Sequence, residues 1–299
     1  MKQIQSMVII AAVLLSTCCT RIEDDNKQTL PIPIRISSTL SKVASDQFEA
    51  GDAIGLYVVN AEKTDQGEWN PGTLQATGNH LDNIKFQYSG TWDSEKEHFW
   101  KDSQTKADFY IYYPYTASSP SDITAIPFKI PSDQSSLEAF KSGEILWGKT
   151  SLASPSENAV NILTSHRTSQ LAIEVVPGKG FTESSLKESI SSLKINNIKC
   201  EGTLNLNDGT LTALGTASDV TPYFDGTKWN ALIIPQKIES QKLVTMVIDG
   251  IERSLIQTVD FTSNSKKKCT ITVNKINEGI NVGIGGWEED SNDYGGTLN

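Results

Sequence analysis

Two regimes of hydrophobic patterning divide the chain. Met7 to Leu15 is an unbroken apolar run of nine residues, far short of the ~20 a membrane-spanning helix needs and suited to the core of a signal peptide. From Ile32 onward apolar residues instead alternate with polar ones or gather into short blocks. Ile32, Ile34 and Ile36 alternate with Pro31, Pro33 and Arg35, and Ile84, Phe86 and Tyr88 alternate with Lys85 and Gln87. Phe109 to Tyr115 is continuously aromatic and apolar apart from Pro114, the pattern of a strand covered on both faces. Further strands are predicted at 54–59, 160–163, 171–176, 193–195, 231–235, 243–248, 256–261 and 269–273, with turns every ten or so residues. Helical spacing is confined to Leu186, Ile190 and Leu193 in a serine-rich stretch, which predicts a short helix at most. The reading is all-β, as a sandwich or barrel. Pro31 and Pro33 remove two N–H donors from one side of their strand, which places it at a sheet edge.

Ser151 to Asn158 is small, polar and carries Pro155, directly after the apolar Ile145-Leu146-Trp147. It reads as a linker. The expected organisation is a signal peptide at 1–17, a polar tether at 18–30, an N-terminal β-sandwich domain at 31–152 and a C-terminal one at 159–299. About 280 residues remain after the leader, enough for two domains of ordinary size.

The leader has one charge, Lys2, and ends Leu15-Ser-Thr-Cys18-Cys19. A cysteine after small residues resembles the bacterial lipobox, so Cys18, or alternatively Cys19, is expected to become the acylated N-terminus. Glu23-Asp24-Asp25 follows and looks like the acidic signals that send Bacteroidetes lipoproteins to the outer face of the outer membrane. Formal net charge is −10, one unit more negative once Lys2 leaves, and such a chain repels phosphate backbones, which excludes nucleic acid as a partner. Cys200 and Cys269 allow one disulfide in an oxidising compartment, or two separate buried thiols.

Candidate chemistry is sparse. His80, His98 and His166 show no metal-ligand spacing, and no nucleophile elbow or phosphate loop is present. Neither a metal, a cofactor nor catalysis is expected. Trp69, Trp92 and Trp100 fall in a polar, glycine-containing stretch, either as stacking platforms for glycans or as caps on the end of a sandwich core.

Five segments together resemble the fimbrillin family of Bacteroidetes, the Mfa-like and FimA-like pilins and their accessory subunits. They are the lipoprotein leader, Phe48-x-x-Gly51-Asp52-x-Ile54-Gly55-Leu56-Tyr57, Ile145-Leu146-Trp147-Gly148-Lys149, Ser165-His166-x-x-Ser169-x-Leu171-x-Ile173-x-Val175, and Ile284-x-x-Trp287. The resemblance implies two tandem transthyretin-like β-sandwich domains, with His166 packed at a core strand. It also implies a non-enzymatic fimbrial subunit or adhesin at the cell outer membrane, polymerising with other subunits. In that family a cut after a basic residue releases an N-terminal strand, and a strand of the next subunit fills the groove. Arg35 is the candidate cut, with a plain surface arginine as the alternative. Ile280, Val282 and Ile284 are the candidate donor strand, or simply the last strand of the second domain. The rival function is a monomeric glycan-binding surface lipoprotein, and a host protein or glycan is a further candidate partner.

Overall fold

The computed structural model describes residues 31–41, 48–118, 120–275 and 296–298. Its first half contains β1 (Ile36–Ser41), β2 (Ala53–Asn60), β3 (Glu62–Lys63), β4 (Trp69–Asn70), β5 (Leu81–Tyr88), β6 (Trp92–Asp93), β7 (Ala107–Tyr113), β8 (Ile126–Lys129), α1 (Leu137–Ser142) and β9 (Leu146–Ala153). The second contains β10 (Val160–His166), β11 (Ser169–Pro177), α2 (Glu183–Ser189), β12 (Ile190–Leu204), β13 (Leu211–Val220), β14 (Tyr223–Phe224), β15 (Trp229–Ile233), β16 (Gln236–Ile248), β17 (Ile251–Phe261), β18 (Lys266–Val273) and β19 (Gly296–Leu298). The fold is all-β, as the alternation predicts.

A seven-stranded sheet runs β1-β10-β9-β7-β2-β5-β6. Its central strands β2 and β7 are buried on both faces, and their period of two divides their side chains between two cores. Ile54, Leu56 and Val58 join Phe109 and Ile111 on one side, while Tyr57 and Val59 join Tyr110 and Tyr112 on the other. Gly55 sits where the packing is tightest. A Cβ there would lie 2.3 Å from the Tyr112 ring and 2.7 Å from Asn83 Oδ1, and the Tyr112 hydroxyl donates to that same oxygen at 2.6 Å.

Two further sheets close the larger core. One is ordered β14-β15-β11-β18-β19; the other is β13-β12-β16-β17, with β8 also paired to β12. Leu171, Ile173, Ala231, Ile233 and Ile271 of the first meet Ile195, Val244, Met246 and Phe261 of the second in one apolar cluster. Of the two helices among the described residues, α2 falls within the predicted stretch and ends at Ile190, where β12 begins. Thr182 and Ser185 form its capping box. The other, α1, was not predicted; Ser136 caps it and Phe140 anchors it against Tyr223.

Residues 154–159, within which the sequence places a linker, join β9 to β10, and these are antiparallel neighbours in the first sheet, with Ser165 opposite Trp147 and His166 opposite Leu146. A small, polar, proline-bearing stretch between apolar runs is as characteristic of a loop between paired strands as of an interdomain linker. In the other direction β8 leaves the first half to pair with Glu201–Leu204 of β12. Residues from Pro31 onward form one compact unit.

Candidate functional site

The N-terminal edge of the seven-stranded sheet concentrates the features singled out in the sequence. Alternation predicts that the isoleucines face inward and Arg35 outward, and that is the arrangement found. Ile34 and Ile36 are 6% and 5% exposed, Ile32 packs beside them, and Arg35 is exposed. Beneath them lies an apolar floor of Trp100, Phe109, Ile111, Val160 and Ile162, with the Trp100 and Phe109 rings 5.2 Å apart edge to face.

The segment changes partners midway. Ile34 N donates to His98 O at 2.7 Å and Trp100 N to Ile32 O at 2.9 Å, so this part pairs antiparallel with the 98–100 stretch. The bonded residues are Ile32 and Ile34; the prolines alternate with them and so interrupt no bond of this ladder. Val160 N then donates to Arg35 O at 2.8 Å. From there β1 runs parallel to β10, from Ile36 opposite Val160 to Ser41 opposite Ser165. Ser37 Oγ donates to Asn161 Oδ1 at 3.4 Å, and Ser38 Oγ lies 3.3 Å from Thr164 Oγ1. The Arg35 side chain makes one long contact, donating to Glu157 O at 3.4 Å. β1 is the terminal strand of the sheet order, as the prolines predict.

The turn after Phe48 explains another part of the quoted pattern. Asp52 accepts from Glu49 N at 2.7 Å and from the Tyr113 hydroxyl at 3.1 Å, while Gly51 adopts φ +105°. Burial, together with the Asp52 charge, pushes the Tyr113 phenol above its ordinary range. Phe48 itself meets Trp92 edge to face at 4.7 Å. These residues hold a turn; they present no nucleophile.

The tryptophans are not a shared platform. Trp92 and Trp100 are buried, 6% and 5% exposed, in the core beneath the N-terminal segment. Both pack among core side chains. Trp69 is half-buried in the small β3–β4 hairpin, under Lys63 Nζ at 5.5 Å. Of the two readings of these tryptophans, Trp92 and Trp100 have the burial of core residues.

His166 is 2% exposed, its Nδ1 2.5 Å from Glu144 Oε1, so it is a packed residue of the β10 end. His98 is held below the ordinary histidine range by burial and then by His80, and His80 Nε2 is 2.7 Å from Phe99 O. Among the described residues no group of His, Cys, Asp or Glu is placed to hold a metal ion. Cys200 and Cys269 are both buried thiols, with no disulfide between them. Cys18, Cys19, Ile280, Val282, Ile284 and Trp287 lie outside the described residues.

The sequence model of the fimbrillin-like family matches residues 41–287. A relative from Bacteroides uniformis named "Putative fimbrium subunit Fim1C" is 23% identical over 306 residues, covering 96% of this chain and 95% of its own. Two crystal structures named as a "putative cell adhesion protein" share the fold. One, from Bacteroides uniformis, has a TM-score of 0.62 at 20% identity and covers 81% of this chain and 94% of its own. The other, from Bacteroides ovatus, has a TM-score of 0.63 at 14% identity, with 81% and 92% covered.

Proposed function

The chain belongs to the fimbrillin-like family, a family of structural fimbrial and adhesion proteins and not of enzymes, and from that premise we propose that it is a lipid-anchored fimbrial subunit assembled by exchange of its N-terminal strand. Export and acylation at Cys18, or Cys19, would carry it to the outer membrane and into a surface fimbrium. Other fimbrial subunits are its partners. The observation that supports strand exchange is the edge segment 31–41: it is held by a ladder on β10 and the 98–100 stretch, and Ile34 and Ile36 close an apolar core. An edge strand of this kind can be replaced, one for one, by another extended segment with the same alternation. Ile280, Val282 and Ile284 have that alternation and remain the proposed donor.

The geometry adds a condition on processing. Arg35 is exposed, yet its carbonyl is bonded to Val160 N, so a protease must first open this stretch to bind it extended. A cut at Arg35 also removes only Ile32 and Ile34, leaving β1 with its six register pairs on β10. Vacating the whole edge therefore requires β1 to leave as well.

The test is direct. Surface polymers are isolated, resolved without boiling, and the N-terminus of the subunit is sequenced. Heat-labile ladders with a new terminus at Ile36 or beyond Ser41 support the proposal. Ladders in which residues 31–41 are intact and still protected from exchange with solvent refute it. Replacement of Ile280, Val282 and Ile284 by Asn abolishes the ladders if they donate; unchanged ladders exclude them.

A further inference from the structure

A second surface feature lies away from the N-terminal edge, at the end of the sheet containing β14 and β15. Phe224 and Trp229 stand on either side of the turn Asp225-Gly226-Thr227-Lys228 with ring centroids 4.4 Å apart and planes inclined by 34°. Both are half-buried. The turn is tightly held: the Asp225 carboxylate accepts from Thr227 N, Thr227 Oγ1 and Lys228 N, each at 2.8 Å, and from Asn230 Nδ2 at 2.9 Å. Asp225 N donates to Lys228 O at 3.0 Å, and Gly226 supplies φ +101°. The two rings are thereby fixed before any ligand arrives, which lowers the entropic cost of binding.

These rings form one wall of a cleft of about 320 Å³, whose other walls come from β11 and α2 and include Glu174, Val175, Glu183 and Lys187. That volume is at the small end of the ~300–1,000 Å³ of ligand pockets. Lys187 Nζ sits 5.6 Å from the Phe224 ring centre. Glu174 Oε2 is bracketed by Lys228 Nζ at 3.4 Å and Lys268 Nζ at 3.6 Å. Acidic and basic groups thus border the cleft together, so it presents no field of a single sign to select a phosphate, a polyamine or a charged peptide.

We infer that this cleft binds a neutral carbohydrate of one or two pyranose rings. A pyranose has an apolar C–H face and a rim of hydroxyls that both donate and accept. The apolar face matches Phe224 and Trp229, and the rim matches carboxylate and ammonium groups of the lining such as Glu174 and Lys187. Peptide side chains of either charge lack one half of that match. The inference is independent of strand exchange, since none of these residues belongs to the N-terminal edge.

The test uses the chain from residue 20 onward on an array of neutral mono- and disaccharides built from hexose and N-acetylhexosamine, followed by fluorescence titration with the best-retained sugar. Saturable binding is expected, weakened about tenfold by Phe224→Ala, which corresponds to about 1.4 kcal/mol, and likewise by Glu174→Gln. Trp69→Phe should leave it unchanged. Thermal midpoints of each variant accompany the titrations, and the near-isosteric Glu174→Gln, at a half-buried position, decides the matter if Phe224→Ala fails to fold. Failure to retain any neutral sugar, retention of charged saccharides alone, or affinity untouched in folded Phe224→Ala and Glu174→Gln overturns the inference.

Discussion

Replacing Ile34 and Ile36 by Ala tests how much the N-terminal segment contributes to the core it covers. Each side chain is at least 94% buried, and deleting a buried Ile down to Ala costs about 2–5 kcal/mol. The segment lies at an edge, where neighbours can settle into the space left, so the lower part of that range applies, about 2–3 kcal/mol for each. The two residues share the same core neighbours and will not add fully, which gives about 4–5 kcal/mol for the pair. For a unit of this size about 2–4 °C of melting temperature corresponds to each kcal/mol, so the double variant should melt on the order of 10 °C lower. Arg35→Ala is the internal control. Its side chain is exposed with one 3.4 Å contact, and its cost should stay within about 0.5 kcal/mol. Urea titrations followed by near-ultraviolet dichroism report this core through Trp100, which packs against Phe109. If Arg35→Ala costs as much as Ile34→Ala, or the double variant loses under about 1 kcal/mol, the segment is not a core-closing strand and the case for exchange at this edge falls with it.

Three other outcomes follow from the packing and electrostatics. Gly55→Ala should cost about 1–3 kcal/mol in urea unfolding, because the new methyl meets Tyr112 and Asn83 far inside contact distance; an unchanged midpoint would contradict the described packing. Burial opposes ionisation of Asp225, but hydrogen bonds from Lys228, Thr227 and Asn230 outweigh it and hold the carboxyl at about 2, below its ordinary 3.8. The folded value being the lower one, the contribution of this turn is complete above about pH 4 and is lost as pH falls through 2. Amide signals of residues 224–230 should report that step, and Asp225→Asn should remove it. In a chain beginning after Cys19, neither thiol should react rapidly with an aromatic disulfide reagent until the protein is denatured, since both are buried and burial pushes the Cys200 thiol up; a melting temperature that drops on adding reductant would show a disulfide instead.

Much of the fold was legible because burial and strand period coincide. The Ile32–Ile36 alternation marked the inward-facing isoleucines but not the edge strand β1, which begins at Ile36, while the unbroken run at Phe109 located a strand covered on both faces. Long-range pairing was not legible. Nothing local to Val160 says that its neighbours are β9 and β1. Nothing local to Ile126 says that it pairs with Leu204. Trp92 and Trp100 were weighed by the polarity of their sequence neighbours, whereas the space beneath Ile34 and beside Phe48 decided their burial. The Phe224–Trp229 cleft did leave a signal, two aromatic residues flanking an Asp-Gly turn just ahead of the strand predicted at 231–235.

The parallel pairing of β1 with β10 has a consequence for the order of events during synthesis. The Ser37–Asn161 hydrogen bond joins residues 124 positions apart, so β1 has no strand to pair with until most of the first sheet has been made. At about 5–20 residues per second, that delay is on the order of 6–25 s. Pairings of such separation carry a large loop-closure cost, which slows folding. The segment is therefore made well before the strand that receives it, and its pairing waits on that strand.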